Sequence, residues 1–282
     1  MVRRFTREEI LQRLRVTIDS GRAIIAAGCS AGIIAKCAEI GGADLIMVYS
    51  SGRMRMRGLQ TSFVENSNSV TLEMLAEIQG VVEDTPIICG IDATEPPAGR
   101  DLGELVSNFV EAGFSGVINF PTYGFFDDEK WRKDREEQGI GFSREVELIR
   151  VAGQMGVFAM AYVFFPADAR TMAGVGVDCM VPHTGGTAGG LVGFDSLAAP
   201  LEEAAISVQR IIEATREVNP SIICLAHGGR IATPEDTRYL YEYTDALGFV
   251  GASSIERIPV ERAVIGIVEE FKSVPLRPGR AK

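Results

Sequence analysis

Only two histidines occur in these 282 residues, and both stand in the same kind of place. His183 follows the apolar run Val177 to Pro182 and opens Thr184-Gly185-Gly186-Thr187-Ala188-Gly189-Gly190; His227 follows Ser221 to Ala226 and opens Gly228-Gly229. An imidazole titrates near neutral pH, so each can move a proton or hydrogen-bond a developing oxyanion. Other strand-like runs end in further candidates: Ser51-Gly52-Arg53 after Ala43 to Tyr49, Asp92 after Pro86 to Ile91, and Asn119 within Gly116 to Phe120. Arginine forks match carboxylate or phosphate oxygens. Arg53, Arg55 and Arg57 alternate, so an extended loop would turn all three to one side, and Arg53, nearest the strand, is the expected anion holder. Asp92 is a candidate base or metal ligand, with turn capping as its competing role. Asn119 and Thr187 are candidates to orient substrate oxygens. Cys29, at a turn before a helix, is a weaker candidate nucleophile, because no histidine neighbours it in sequence.

These residues need a scaffold that gathers strand ends. Eight apolar runs alternate with amphipathic stretches: Ala23 to Gly28, Ala43 to Tyr49, Pro86 to Ile91, Gly116 to Phe120, Val157 to Tyr162, Val177 to Pro182, Ser221 to Ala226 and Ala246 to Gly251. Intervening helices are expected at Thr71 to Val82, Leu102 to Ala112, Ser143 to Met155, Leu201 to Val218 and Val260 to Lys272. Strand-helix alternation indicates a parallel sheet. The length suits a single (β/α)8 TIM barrel of about 250 residues, with a doubly wound open sheet as the alternative. In a barrel the chemistry lies at the carboxyl ends of the strands, so His183 and His227, ending adjacent strands, would share the mouth. A zinc site would need a third ligand. Thr6-x-x-Glu9 forms a capping box for an added N-terminal helix, and Thr233-Pro234-Glu235-Asp236 starts another. After the last two strands, the amides of Gly228, Gly229, Gly251, Ala252, Ser253 and Ser254 are expected to receive a phosphate or second carboxylate. The segment FFDDEKWRKDREEQGIG is long enough for a lid or an extra helix. Residues 1–274 read as one domain, and 275–282, with two prolines and a glycine, as a loose tail.

Composition narrows the partners. A net charge of −10 without a basic stripe argues against nucleic acid. No apolar stretch approaches the roughly 20 residues of a membrane helix, and no signal core opens the chain. Five cysteines without a C-x-x-C pair point to reduced thiols and a cytoplasmic setting.

The segments YSSGRMRMRG, NFPTYG, PHTGGTAGG, HGGRIATPED and GFVGASSIERIPVE resemble the phosphoenolpyruvate hydrolase-like TIM-barrel family. The likeness runs from the first strand to the last helix. The same barrel is similar to the carboxy-terminal half of a plant antiviral resistance protein, which implies that the scaffold can also serve as a binding module. The resemblance extends to enzymes that bind pyruvate-like anions with magnesium, among them phosphonopyruvate hydrolase. It implies an enolate-binding role for Ser51-Gly52 and a candidate magnesium ligand in Asp92. The second aspartate of that motif is replaced by Thr94, and the strand-four glutamate and following lysine by Asn119 and Thr122. The expected function is hydrolase or lyase chemistry on a small anionic 2-oxo acid, with Mg2+ as candidate cofactor, Arg53 on a carboxylate, and His183 or His227 moving protons. The alternative is a barrel that senses a nucleotide or phosphorylated metabolite, or binds a protein, without turnover. Barrels of this kind are commonly homo-oligomers.

Overall fold

The computed structural model describes residues 3–95 and 99–276. Nine strand segments form one sheet: β1 Ile24–Gly28, β2 Leu45–Val48, β3 Ile87–Ile91, β4 Gly116–Asn119, β5 Phe158–Val163, β6 Cys179–Pro182, β7 Ile223–Cys224, β8 Ala226–His227 and β9 Gly248–Gly251. Their order is β7-β6-β5-β4-β3-β2-β1-β9-β8, all parallel. β7 and β8 are halves of one strand interrupted at Leu225. The first half pairs with β6, the second with β9, and a bridge between His183 and His227 joins the two sides of the seam. The sheet therefore closes on itself in eight staves, as the alternation of runs predicts, and not as an open doubly wound sheet.

The helices are α1 Arg7–Asp19, α2 Gly32–Ile40, α3 Gly52–Met56, α4 Ser67–Ile78, α5 Leu102–Ala112, α6 Glu129–Glu137, α7 Phe142–Gln154, α8 Pro166–Gly174, α9 Leu201–Val218, α10 Pro234–Tyr243 and α11 Ile258–Ser273, the last preceded by a π-helical turn, Ser253–Arg257. Side chains alternate along each strand. Leu45, Met47, Phe158, Met160, Tyr162, Cys179 and Val181 fill the barrel, while Ile46, Val48, Ala159, Ala161, Val163 and Met180 face the helices.

Helix α1 seals the amino-terminal end. Its capping box forms, with Thr6 and Glu9 bonding reciprocally. Ile10 and Leu14 are buried with the inward strand residues. Polar ties run to residues just before four strands: Arg7 to Asp178 (2.7 Å), Thr17 to Asp44 (2.6 Å), Arg13 to Asp84 (3.2 Å), and the Phe5 amide to Ser115 (3.1 Å).

One expectation changes, at the loop after β2. That loop is not extended: Gly52 to Met56 coil into α3, so Arg53, Arg55 and Arg57 diverge. The charged segment after β4 forms α6, held by Arg132 to Asp168 at 2.7 Å. Of the expected loose tail, residues 277–282 lie outside the described residues. Helix α11 buries only Ile258, leaving Val264, Ile267, Val268 and Phe271 exposed. No helix among the described residues is long and apolar enough to cross a membrane.

Candidate functional site

Parallel strand ends bring His183 and His227 together, with ring centroids 4.5 Å apart and planes at 78°. Their backbones fix opposite tautomers. His183 Nδ1 accepts the Gly185 amide at 3.0 Å, so its proton sits on Nε2. His227 Nδ1 bonds the Val250 carbonyl oxygen at 2.6 Å. A carbonyl can only accept, so this nitrogen carries the proton and Nε2 keeps a lone pair. The pair thus offers one donor and one acceptor. Burial, then the neighbouring His227, holds His183 well below the usual histidine range; burial brings His227 down to about 4. Both rings are neutral at pH 7.

Beneath them, the Tyr49 and Tyr162 hydroxyls share a hydrogen bond of 2.9 Å. Arg55 is 3% exposed and forms an ion pair through Nε with the fully buried Glu256 of the π-helical turn. Its Nη1 reaches Ser51 Oγ at 3.3 Å and Thr61 Oγ1 at 3.4 Å, while Nη2 has no partner. Burial raises the Glu256 pKa and Arg55 opposes that rise. An inner chamber of about 50 Å3 is lined by Tyr49, Arg55, Thr61, His183, His227 and Ser253, with Thr187 and Ala252 also on its wall. Outside it lies a cavity of about 330 Å3 that shares Thr61, Phe120, His183 and Gly186.

Other expected site residues are spent on structure. Arg53 points to the surface and pairs with Glu73 at 3.1 Å, because α3 turns it away; Arg55 is the arginine of the mouth. The Gly52 amide donates to the Tyr49 carbonyl at 2.9 Å in the first turn of α3, so it is not the expected enolate donor. Gly52 has another role: a Cβ there would lie 1.7 Å from Ser30 Oγ, so only glycine lets the two loops touch. Asp92 Oδ1 accepts the Thr94 amide (2.9 Å) and hydroxyl (2.8 Å), the turn-capping role, and burial raises its pKa. The Asn119 amide ties β4 to β5 through Tyr162 N–H (2.7 Å) and bonds Glu145 (2.6 Å). Cys29 is buried with its thiol pKa pushed up, which suppresses the thiolate.

The expected phosphate turn divides in the same way. Gly228 and Gly229 have φ of 90° and 57°, and a Cβ on either would strike Gly185 O or Thr184 Oγ1. The Gly229 amide donates to Gly185 O at 3.0 Å, and Gly251 lies within the β1–β9 ladder. These glycines serve turn geometry and close loop packing. Ser254 Oγ is buried without a partner, away from the chamber lining; of the six expected residues, Ala252 and Ser253 reach it.

Glu256 and Thr61 at the chamber, and Glu145 behind Asn119, are residues that the sequence reading overlooks, and Arg55 is one it passes over in favour of Arg53. Glu145 accepts from Asn119, Thr122 (2.6 Å) and the Tyr123 amide (2.8 Å), and burial pushes its pKa up to about 8. One signal was legible: in α7, Glu145 falls on the same stripe as Phe142, Leu148, Ile149 and Ala152, a carboxylate on an apolar face.

Magnesium is usually held by one or two carboxylates together with water and substrate oxygens, so a carboxylate must face the site. Among the described residues, no group of three or more His, Cys, Asp or Glu side chains is placed to hold a metal ion. Neither cavity is lined by a carboxylate, and Asp92 is engaged by Thr94. The donor set does not fit the ion.

A closed parallel barrel with its free polar atoms at the carboxyl ends of the strands is a (β/α)8 barrel, a fold shared with phosphoenolpyruvate phosphomutase and phosphonopyruvate hydrolase. The chain belongs to the phosphoenolpyruvate hydrolase-like family, whose model matches residues 9–274. Two tomato (Solanum lycopersicum) proteins, ToMV susceptible protein tm-1(GCR26) and ToMV resistance protein Tm-1(GCR237), are 42% and 41% identical over 272 and 275 residues, which is 95% and 96% of this chain. The chain spans 36% of the length of each, about a third and not a half. Among solved structures, phosphoenolpyruvate phosphomutase from Streptomyces platensis subsp. rosaceus matches with a TM-score of 0.62 at 14% identity, covering 93% of this chain and 86% of that one. Phosphonopyruvate hydrolase in complex with oxalate and Mg2+ matches with a TM-score of 0.60 at 18% identity, covering 94% and 86%. At such identities the likeness shows the fold.

Proposed function

We propose that the barrel mouth is a metal-independent active site for a small anionic 2-oxo acid, cleaving or protonating it through an enolate. The opposed tautomers of His183 and His227 carry this reading. His183 Nε2–H suits the oxygen on which enolate charge develops, and His227 Nε2 suits the proton that must move. Arg55, with Ser51 and Thr61, is the group for the carboxylate, and Ser253 and Thr187 face a second anionic group. With phosphonopyruvate, His227 takes a proton from the water attacking phosphorus. The C–P electron pair passes into an enolate bonded by His183, and the proton returns to carbon, leaving pyruvate and phosphate. In the test, phosphonopyruvate is incubated with EDTA present and pyruvate release is followed, alongside deuterium uptake at pyruvate C3 in D2O. Both should proceed, and His227→Gln should slow them about 10²- to 10⁴-fold. No release and no exchange with the intact protein overturns the proposal.

The spent Asp92 and Asn119 favour a second reading, a barrel that binds a nucleotide or metabolite without turnover. Thermal stabilisation by nucleotides but not by 2-oxo acids would support it. In either reading the five free cysteines suit a reducing, cytoplasmic setting. The uncovered apolar side chains of α11 suit a homo-oligomer. A monomer by sedimentation at micromolar concentration would dismiss that assembly.

A further inference from the structure

The inner chamber and the outer cavity differ in kind. The chamber is polar and small, enough for the carboxylate and carbonyl of a 2-oxo acid. The outer cavity, about 330 Å3, has no charged residue in its lining, and five phenylalanines face it: Phe63, Phe120, Phe125, Phe164 and Phe194. Four rings form a line from the surface to the site. Phe63 and Phe125 lie 6.1 Å apart, Phe125 and Phe164 6.0 Å, and Phe164 stacks on His183 at 4.4 Å. Aromatic rings pair best at centroid separations of about 4.5 to 7 Å, so this line offers faces and edges to a further ring. Phe63 and Phe125 are 45% and 40% exposed, which leaves apolar surface for a ligand to cover. A pyruvate-sized acid would leave that surface wet. Cavities of roughly 300 to 1,000 Å3 hold larger ligands, and an anionic extension would find no cation in this lining.

We infer that the ligand is a 2-oxo acid bearing an uncharged aryl substituent, its acid end in the inner chamber and its ring among the phenylalanines. The inference rests on the 2-oxo acid reading and names its substrate class. Calorimetric titration of the full chain with pyruvate and with phenylpyruvate tests it. Phenylpyruvate should bind at least tenfold more tightly. In the Phe63→Ala/Phe125→Ala variant, at two partly exposed positions, the affinity ratio should fall at least fivefold. Equal affinities, a ratio that survives the double substitution, or no binding of either acid overturns the inference. Deuterium exchange at C3 separates the two claims. A phenylpyruvate preference without exchange upholds this ligand class and sinks the catalytic proposal. Exchange of pyruvate with no preference does the reverse.

Discussion

Two sides of the barrel mouth carry similar polar residues and use them in opposite ways. On the β3–β4 side, Glu145 accepts from Asn119, Thr122 and the Tyr123 amide, Asn119 also holds Tyr162, and Asp92 caps a turn at Thr94 through Oδ1. On the β6–β8 side, each histidine spends one ring nitrogen on the backbone and has no bond among the described residues at the other. Arg55 spends Nε on Glu256 and leaves Nη2 unpartnered. Position at a strand end therefore makes a side chain available for chemistry only when its neighbours leave an atom unpaired. Buried groups fully satisfied by one another contribute order.

Breaking the pair on the functional side should have the largest effect on stability. Arg55→Met leaves Glu256 buried without its cation, and urea denaturation should show a loss of about 3–5 kcal/mol. A loss below 1 kcal/mol would mean that the pair is dispensable. On the structural side, Glu145→Ala strands the Asn119, Thr122 and Tyr123 donors, at about 1–3 kcal/mol for a buried group left unsatisfied, without changing the catalytic pH profile. Because burial raises the Glu145 pKa to about 8 from its usual 4.5, its contribution is present below pH 4.5 and declines as the pH rises through 8. Subtracting the variant's stability curve from that of the parent should show this slope. Asp92→Asn should do least: about 1 kcal/mol from the weakened turn and no change in pyruvate release or C3 exchange. If it abolishes turnover, the division of the mouth is wrong. Catalysis should be flat above pH 5 and fall as the pH drops through 4, where His227 gains its proton.

The barrel was legible because its signals are local and repeated. Leu102 to Ala112 and Leu201 to Val218 are helices with the bounds their amphipathic pattern gives. The meeting of the histidines followed from their equivalent places on adjacent strands. Arg55 was hidden because alternate spacing suggests an extended loop, whereas Gly52 to Met56 form a turn of helix with no side-chain cap to announce it. Its partner Glu256 lies 201 residues away on a π-helical turn that has no apolar period to read. Asn119 looked available for the same reason, since its partners Glu145 and Tyr162 lie 26 and 43 residues on; Asp92 was ambiguous in the sequence itself, because its capping partner Thr94 is two residues away.

With side chains filling the barrel and α1 closing its amino-terminal end, the described residues leave the carboxyl-end mouth as the approach to the histidines. The phenylalanine cavity adjoins the chamber through Thr61, Phe120, His183 and Gly186, so it is a passage to the histidines as well as a place to bind. A compound that fills the outer cavity alone would take the place of the aryl group, so its inhibition would weaken as an aryl 2-oxo acid is raised and persist against pyruvate.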